Sequence, residues 1–427
     1  MNGRSRLAIL AGVRTPQAKS FGALAGLSAV DLGVYAAHGA LERAGLEAAQ
    51  IDEVIFGNVA GPPDAANIAR VISLKAGIPP ERIAHTVNRN CASGMESILS
   101  AWQAIRDGRS EVVLTGGTES MSNIPLLFEP ATQRKLMILR RAKSFWNRMW
   151  LSAQLRPKDF KPVVGVQLGL TDPTCKLNMG ETAEILAEEF AVSRHDQDAF
   201  ALASHQKAIA AGQRCFLSGE ILPLQLDGAQ IRKDVGPREG QSLEQLAKLQ
   251  PIFRKEGTVT AGNSCPLTDG AVALVLMDEQ QAKHLPVHPI GYVSDYAIAG
   301  CDPRRMGLGP VYAMAKLLGK TRYALSDFDL FEINEAFAAQ VLACISAASS
   351  TGFCRQSLDL TRPLGEIPME KLNVHGGAIA LGHPVGASGT RLVLTLARAL
   401  AEKKLERGIA TLCVGGGQGV AMVIETV

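Results

Sequence analysis

Four residues of this 427-residue chain combine a reactive or polar side chain with neighbours that suit catalysis. Cys91 follows the polar turn Asn88-Arg89-Asn90 and opens a stretch in which Met95, Ile98, Leu99, Trp102 and Ile105 recur at helical spacing. A thiol at a helix N-terminus meets free backbone N–H groups and the positive end of the helix dipole, which favour thiolate, and Ala92, Ser93 and Gly94 leave room for a ligand beside the sulfur. Those are the needs of a nucleophile, though a buried structural cysteine would also satisfy the position. His383 lies between glycines and a proline, in Gly382-His383-Pro384 with Gly386 beyond, and an imidazole held so rigidly suits a general base. A loop histidine satisfied by backbone is the alternative. Cys413 ends an apolar run and precedes Val-Gly-Gly-Gly-Gln-Gly419, whose unhindered N–H groups suit an oxyanion hole. Asn334, after the run 330–333, offers an amide hydrogen bond at a sheet edge.

Residues this far apart need a scaffold that gathers strand ends. Strand-like runs at 7–11, 54–56 and 112–115 alternate with helical stretches such as 29–44, the βαβ signature of an α/β protein. A helix tail, short loop and buried strand at 41–56 are echoed at 317–333. Ala92-Ser93-Gly94 opens a helix that ends before Gly116-Gly117, as Ala387-Ser388-Gly389 does before Gly415-Gly416-Gly417, so two related halves are expected. Residues 120–255 have another texture, polar and irregular, and read as an inserted loop domain. Within them, 134–156 carries seven basic residues and no acid, interleaved with Leu136, Ile138, Phe145, Trp146, Met149 and Trp150. That segment is either a helix packing its apolar face on the domain or a docking element for a membrane surface or partner.

Composition narrows the classes. Lys and Arg number 44 against 41 Asp and Glu, so a net charge of +3 gives no global reason to expect nucleic acid. No apolar run reaches the ~18 residues of a spanning helix, and the N-terminal run leads into Arg14-Thr15-Pro16 as a first strand would. The eight cysteines are scattered with no C-x-x-C pair, which supports neither zinc nor a disulfide scaffold and suggests a reducing, cytoplasmic setting.

Taken together, Asn90-Cys91-Ala-Ser-Gly-Met95, Asn334-Glu-Ala-Phe-Ala338, Gly382-His383-Pro384 with Gly386-Ala-Ser-Gly389, and Cys413-Val-Gly-Gly-Gly-Gln-Gly419 resemble, in family order, the motifs of the thiolase family, the acyl-CoA C-acyltransferases. The resemblance covers nearly the whole chain, including Gly116-Gly-Thr-Glu-Ser-Met-Ser122, Met179-Gly-Glu-Thr-Ala-Glu184, Thr258-Val-Thr-Ala-Gly-Asn263 and Thr268-Asp-Gly270. It implies duplicated βαβαβ halves in a layered αβαβα core, with 1–119 and 256–275 as the N-terminal half, 120–255 as the loop domain and 276–427 as the C-terminal half.

The resemblance further implies that Cys91 carries the acyl group, activated by His383, while Cys413 shuttles the α-carbon proton. Enolate charge would fall on His383 and an Asn334-held water, and the oxyanion at Cys91 on the N–H groups of Cys91 and Gly415. Met179, Arg238, Ala261 and Gly262 would contact the CoA arm and Phe337 the acyl pocket. Cys265 stands where the family commonly has serine, and a thiol is a poor hydrogen-bond partner for pantetheine. His375 occupies a position the family does not fix and reads as an orienting or structural residue. Long basic insertions resemble thiolase subunits of fatty-acid oxidation complexes, yet those usually carry histidine where this chain has Asn334. CoA thioesters are expected as substrates, with no tightly bound cofactor and no metal. The expected assembly is a homodimer or homotetramer, alone or with a β-oxidation partner subunit. The competing readings are a biosynthetic acetoacetyl-CoA thiolase, a decarboxylating ketosynthase, which generally uses two histidines, and an inactive lipid-binding or scaffold protein of the same shape.

Overall fold

The computed structural model describes residues 5–226 and 228–426. Its first strand, β1 (Leu7–Arg14), is buried throughout, as expected of an apolar run without alternation. Helix α1 (Ala29–Ala44) starts at a capping box between Ser28 and Asp31 and ends on Gly45 in the left-handed conformation. There follow β2 (Glu53–Gly57), α2 (Ile68–Lys75), β3 (Ile83–Val87), α3 (Ser93–Arg106) and β4 (Val112–Ser120). The chain then leaves the core for α4 (Pro130–Arg141), α5 (Phe145–Ala153), α6 (Met179–Glu189) and α7 (Arg194–Gln213), and returns in β5 (Thr268–Asp278). The remainder comprises β6 (Gly291–Gly300), α8 (Gly309–Lys320), β7 (Leu330–Ile333), α9 (Ala338–Ser349), α10 (Val385–Lys403), β8 (Arg407–Val414) and β9 (Gln418–Glu425).

The strands form a continuous mixed sheet in the order β7-β8-β9-β6-β1-β5-β4-β2-β3, to which Ala18–Lys19 adds a short pairing on β5. Leu7 to Ile9 pair antiparallel with Gly291 to Val293, joining the halves edge to edge. The echo in the sequence has a structural counterpart. α1 leads through a single 3-10 turn, Ala48–Gln50, into β2, and α8 leads through Leu325–Asp327 into β7. β2 runs parallel to β4, and β7 parallel to β8. α3 and α10 pack on each other between strands of both halves, with α1 and α2 outside one half and α8 outside the other, giving the αβαβα layering.

The inner helices approach too closely for side chains at the crossing. A Cβ on Gly94 would lie 2.6 Å from Thr390 Oγ1, and one on Gly117 would lie 2.0 Å from the Gly386 carbonyl oxygen. Small residues there bring the start of α3, which follows Cys91, against the start of α10, which follows His383.

The inserted segment is tied down by a buried Arg14, whose guanidinium bonds both Asp234 oxygens at 2.6 and 2.7 Å and Glu220 at 2.7 Å. The basic stretch differs from the packed helix that its composition allowed. It forms two helices broken at 142–144, of which α4 buries only Thr132 and α5 buries nothing. No described helix is long and apolar enough to cross a membrane.

Candidate active site

Cys91 stands two residues before α3, on a turn whose preceding residue, Asn90, is in the left-handed conformation at φ 45. Asparagine tolerates that conformation better than most residues. Its side chain is used as well, the Asn90 Nδ2 donating 2.7 Å to the Gly415 carbonyl. Gly415 opens the three-residue connection between β8 and β9, where Gly416 and Gly417 both take positive φ. The backbone N–H groups of Gly415 and of Cys91 itself lie near the Cys91 sulfur. Burial pushes this thiol up, and the two N–H groups offset part of the effect, with Glu119 nearby raising it further. The helix-dipole expectation of a standing thiolate therefore gives way to a resting thiol, because desolvation outweighs the dipole.

Cys413, near the end of β8, is buried among Met179, Met306, Phe337 and Ala339. Desolvation pushes its thiol well up, and its electrostatic neighbours include Cys91 and Cys265. Cys265, held by its N–H to the Ala336 carbonyl, is pushed up to about 12 by burial, with Cys91 adding to the rise. Cys91, Cys265 and Cys413 thus lie within electrostatic reach of one another. Met179, at the start of α6, faces them, its sulfur lying 3.3 Å from where a Gly415 Cβ would be. Phe337 is buried edge-on to Phe253 and bridges to Ser264.

His383 lies on the loop two residues before α10. Its backbone bridges Leu267, two residues beyond Cys265, and its N–H donates to Thr268 Oγ1 at 3.1 Å. The ring Nδ1 lies 2.6 Å from Ser388 Oγ, and Ser388 donates its own hydroxyl to the Pro384 carbonyl at 3.0 Å. With that proton committed, Ser388 accepts from Nδ1–H, which leaves the lone pair on Nε2. Nε2 is buried and has no hydrogen-bond partner among the described residues. Burial, helped by the charge of Arg391, pushes the imidazole down to about 4, so it is neutral near pH 7. Asn334 follows β7, its N–H bonded to the Thr411 carbonyl two residues before Cys413. Both polar atoms of its side chain are buried and unpartnered among the described residues.

The expected CoA contacts scatter more widely. Ala261 is exposed, and Gly262 is buried against Leu246 and Leu249 in a turn built by Thr260 and Asn263. Arg238 is exposed, its N–H on His205 Nδ1 at 3.2 Å. His375 is remote from the thiols. It is stacked on Phe216 at 3.6 Å, with Arg214 and Glu402 at its ring nitrogens, beside a cavity of about 740 Å³.

Reading for reactive side chains passes over three residues that organise the site. Glu119 is fully buried and accepts from Val59 N–H, Ala60 N–H, Gly386 N–H and Asn58 Nδ2, clamping the loop after His383 onto the loop at 58–60. Burial pushes it up to about 7 despite those four donors. Glu335 accepts from Ser204, Asn373 and Ile379 N–H and fixes the approach to His383. Ser388 sets the histidine tautomer. The only sequence signal for the glutamates was an acid embedded in an otherwise small, uncharged motif.

Asn334 and Cys413 stand at the ends of β7 and β8, Asn90 ties the turn of Cys91 to Gly415 beyond β8, and the start of α10 that follows His383 packs on the start of α3 that follows Cys91, a grouping suited to acyl transfer. The N-terminal domain model of thiolases matches residues 7–280 and the C-terminal domain model matches 287–426, so the chain belongs to the thiolase family and is an acyltransferase. It is 38% identical over 424 residues to a 3-ketoacyl-CoA thiolase of Yersinia enterocolitica, covering 98% of this chain and 97% of the relative. It is 39% identical over 426 residues to a probable acetyl-CoA acyltransferase of Staphylococcus aureus, covering 99% of each. Among solved structures, Bacillus anthracis acetyl-CoA acetyltransferase superposes with TM-score 0.86 at 38% identity, covering 100% of both chains. Human mitochondrial 3-ketoacyl-CoA thiolase in complex with CoA does so with TM-score 0.85 at 36% identity, covering 99% of this chain and 98% of that one.

Proposed function

We propose that this chain cleaves 3-ketoacyl-CoA with CoA to give acyl-CoA and acetyl-CoA, reversibly, through an acyl-enzyme on Cys91. The observation that carries this reading is the 2.7 Å bond from Asn90 Nδ2 to the Gly415 carbonyl, which holds the turn bearing Cys91 against the glycine connection that follows Cys413. Cys91 gives its proton to His383 Nε2 as the sulfur attacks the 3-keto carbon, and the two N–H groups receive the oxyanion. The C2–C3 bond then breaks. The electron pair passes to the acetyl-CoA enolate, whose oxygen is met by His383 and by a water on Asn334, and Cys413 donates the proton to carbon. The incoming CoA thiol gives its proton to the Cys413 thiolate as its sulfur attacks the acyl-enzyme carbon, and the departing Cys91 sulfur takes back the proton held on His383. Every catalytic group returns to its starting state.

Met179, Arg238, Ala261, Gly262 and Cys265 are proposed to hold the CoA arm, with Phe337 against the acyl chain and no tightly bound cofactor. The proposed division is 1–119 with 256–275, 120–255 and 276–427. The proposed assembly is a homodimer or dimer of dimers. The strand β3, which ends the sheet with Ile83 half exposed, supports a sheet continued into a second copy. The proposed role is degradative, in fatty-acid β-oxidation on medium or longer chains as well as acetoacetyl-CoA, in the cytoplasm. Loss of the ketoacyl absorbance with stoichiometric acetyl-CoA, measured across chain lengths from four to sixteen carbons, tests both reaction and range. Use of acetoacetyl-CoA alone favours the biosynthetic reading. No turnover, together with no acyl adduct on Cys91, refutes the enzyme.

A further inference from the structure

We propose that the α4–α5 hairpin is a docking element for an anionic lipid surface. The segment leaves the body at Leu126–Leu127 and rejoins it at Val163–Val164, which pair antiparallel and close the excursion. On α5, Phe145 and Met149, and Trp146 and Trp150, fall one turn apart and form a continuous face. They are 71%, 50%, 71% and 65% exposed, although such side chains are ordinarily buried in a water-facing fold. On α4, Met137 and Ile138 are 47% and 55% exposed.

Charge selects the occupant. Of the seven basic residues in 134–156, only Lys135 has a carboxylate partner among the described residues, Asp159 at 2.8 Å. Arg134, Arg140, Arg141, Lys143, Arg148 and Arg156 make no ion pair there. A second copy meeting this patch by two-fold symmetry would set cations against cations, so a self-contact through it is disfavoured. Tryptophans beside unpaired arginines suit the boundary between acyl chains and phosphate headgroups, where the rings sink and the guanidinium groups reach phosphate. The inference rests on this surface and is independent of the acyl-transfer reading.

The test is flotation of the full chain in 0.15 M salt with vesicles of phosphatidylglycerol and phosphatidylcholine, or of phosphatidylcholine alone. The expected result is co-flotation with the anionic vesicles only, with tryptophan emission quenched by brominated lipid, since the remaining tryptophan, Trp102, is buried. Neutralising three charges together, Arg140→Gln, Arg141→Gln and Lys143→Gln, should weaken partition about a hundredfold. Trp146→Ser with Trp150→Ser should abolish quenching. Both variants should keep the wild-type melting temperature, which certifies their fold. Failure to float, equal flotation on both vesicle types, or a lower assembly mass by light scattering on substitution, which would mark the patch as covered by a second copy, each overturns the proposal.

Discussion

The hydroxyl of Ser388 should control the rate through the histidine it holds. Ser388→Ala leaves Nδ1–H buried without its acceptor at 2.6 Å. Leaving a buried donor unsatisfied costs about 1–3 kcal/mol. In the proposed mechanism the ring escapes that cost by carrying its proton on Nε2, where the Cys91 sulfur and the substrate oxygen can accept it, and in that tautomer Nε2 cannot take the proton of Cys91. The fraction of competent imidazole, and with it kcat, should therefore fall roughly 10- to 100-fold, taking 1.4 kcal/mol per factor of ten. KM for CoA should stay near wild type, because Ser388 is fully buried and is not among the proposed CoA contacts. The assay is steady-state cleavage of acetoacetyl-CoA, normalised to folded protein by thermal melts. Ser388 also back-bonds Pro384 in the first turn of α10. A purely structural role would lower Tm and leave kcat of the folded fraction unchanged. A kcat within twofold of wild type at equal folded fraction would refute the tautomer argument.

The acid limb of the pH–rate profile should reflect His383. A base works deprotonated, so activity is lost as pH falls through about 4, and kcat/KM measured by brief pH jumps should be flat between 5 and 7. An apparent acid pKa above 6 would contradict a desolvated base. The same depressed pKa predicts stability lost as pH falls from the unfolded value near 6.5 toward 4, about 3 kcal/mol in all for a group this buried. Glu119, raised to about 7, acts in the opposite sense, losing its contribution as pH rises from 4.5 through 7. Glu119→Gln should therefore flatten the upper part of the stability profile measured by urea titration. Cys91→Ala should abolish acyl-enzyme formation, whereas Cys413→Ala should still accept an acetyl group from acetyl-CoA but fail to exchange its α-protons with deuterium. Exchange at the wild-type rate would remove Cys413 from the mechanism. With iodoacetamide, exposed Cys215 should label first and acyl-CoA should protect Cys91 specifically. Gly117→Ala forces a methyl to 2.0 Å from a carbonyl oxygen and should cost at least about 3 kcal/mol, read as insoluble or strongly destabilised protein.

The positions proposed as reactive stand out in the sequence because chemistry leaves small, rigid surroundings. Glycine beside Cys413, proline after His383 and the small triplet after Cys91 all mark backbone that must come close to something. The repeat was legible for a related reason, since a helix tail, a one-turn connection and a buried strand recur at 41–56 and 317–333. What stayed hidden was the electrostatic state. The start of α3 suggested a thiolate at Cys91, but that inference needs the desolvation of a half-buried sulfur that packs on a core cluster to which α10 contributes from almost 300 positions later in the chain. Glu119 and Glu335 were hidden for the same reason. Nothing local distinguishes a glutamate that gathers four N–H groups from one that faces water.

These charges explain why the site is built mostly from neutral parts. At rest Cys91, Cys265 and Cys413 are thiols and His383 is neutral, and the buried acid beside them, Glu119, is raised toward protonation. A low-dielectric pocket disfavours standing charge, but it amplifies the interaction of a transient charge with dipoles that are already aimed. The N–H groups of Gly415 and Cys91 and the amide of Asn334 are such dipoles, held by Asn90, by β8 and by β7. Proton transfer from Cys91 to His383 would create a thiolate–imidazolium pair in surroundings that disfavour it without a carbonyl to attack. Desolvation then costs the resting enzyme nothing in charge, and in the proposed mechanism it couples formation of the nucleophile to arrival of the thioester. A site that held a permanent thiolate would instead be open to oxidation and alkylation between turnovers. The depth of Cys91 is therefore as much a part of its chemistry as the two N–H groups above it.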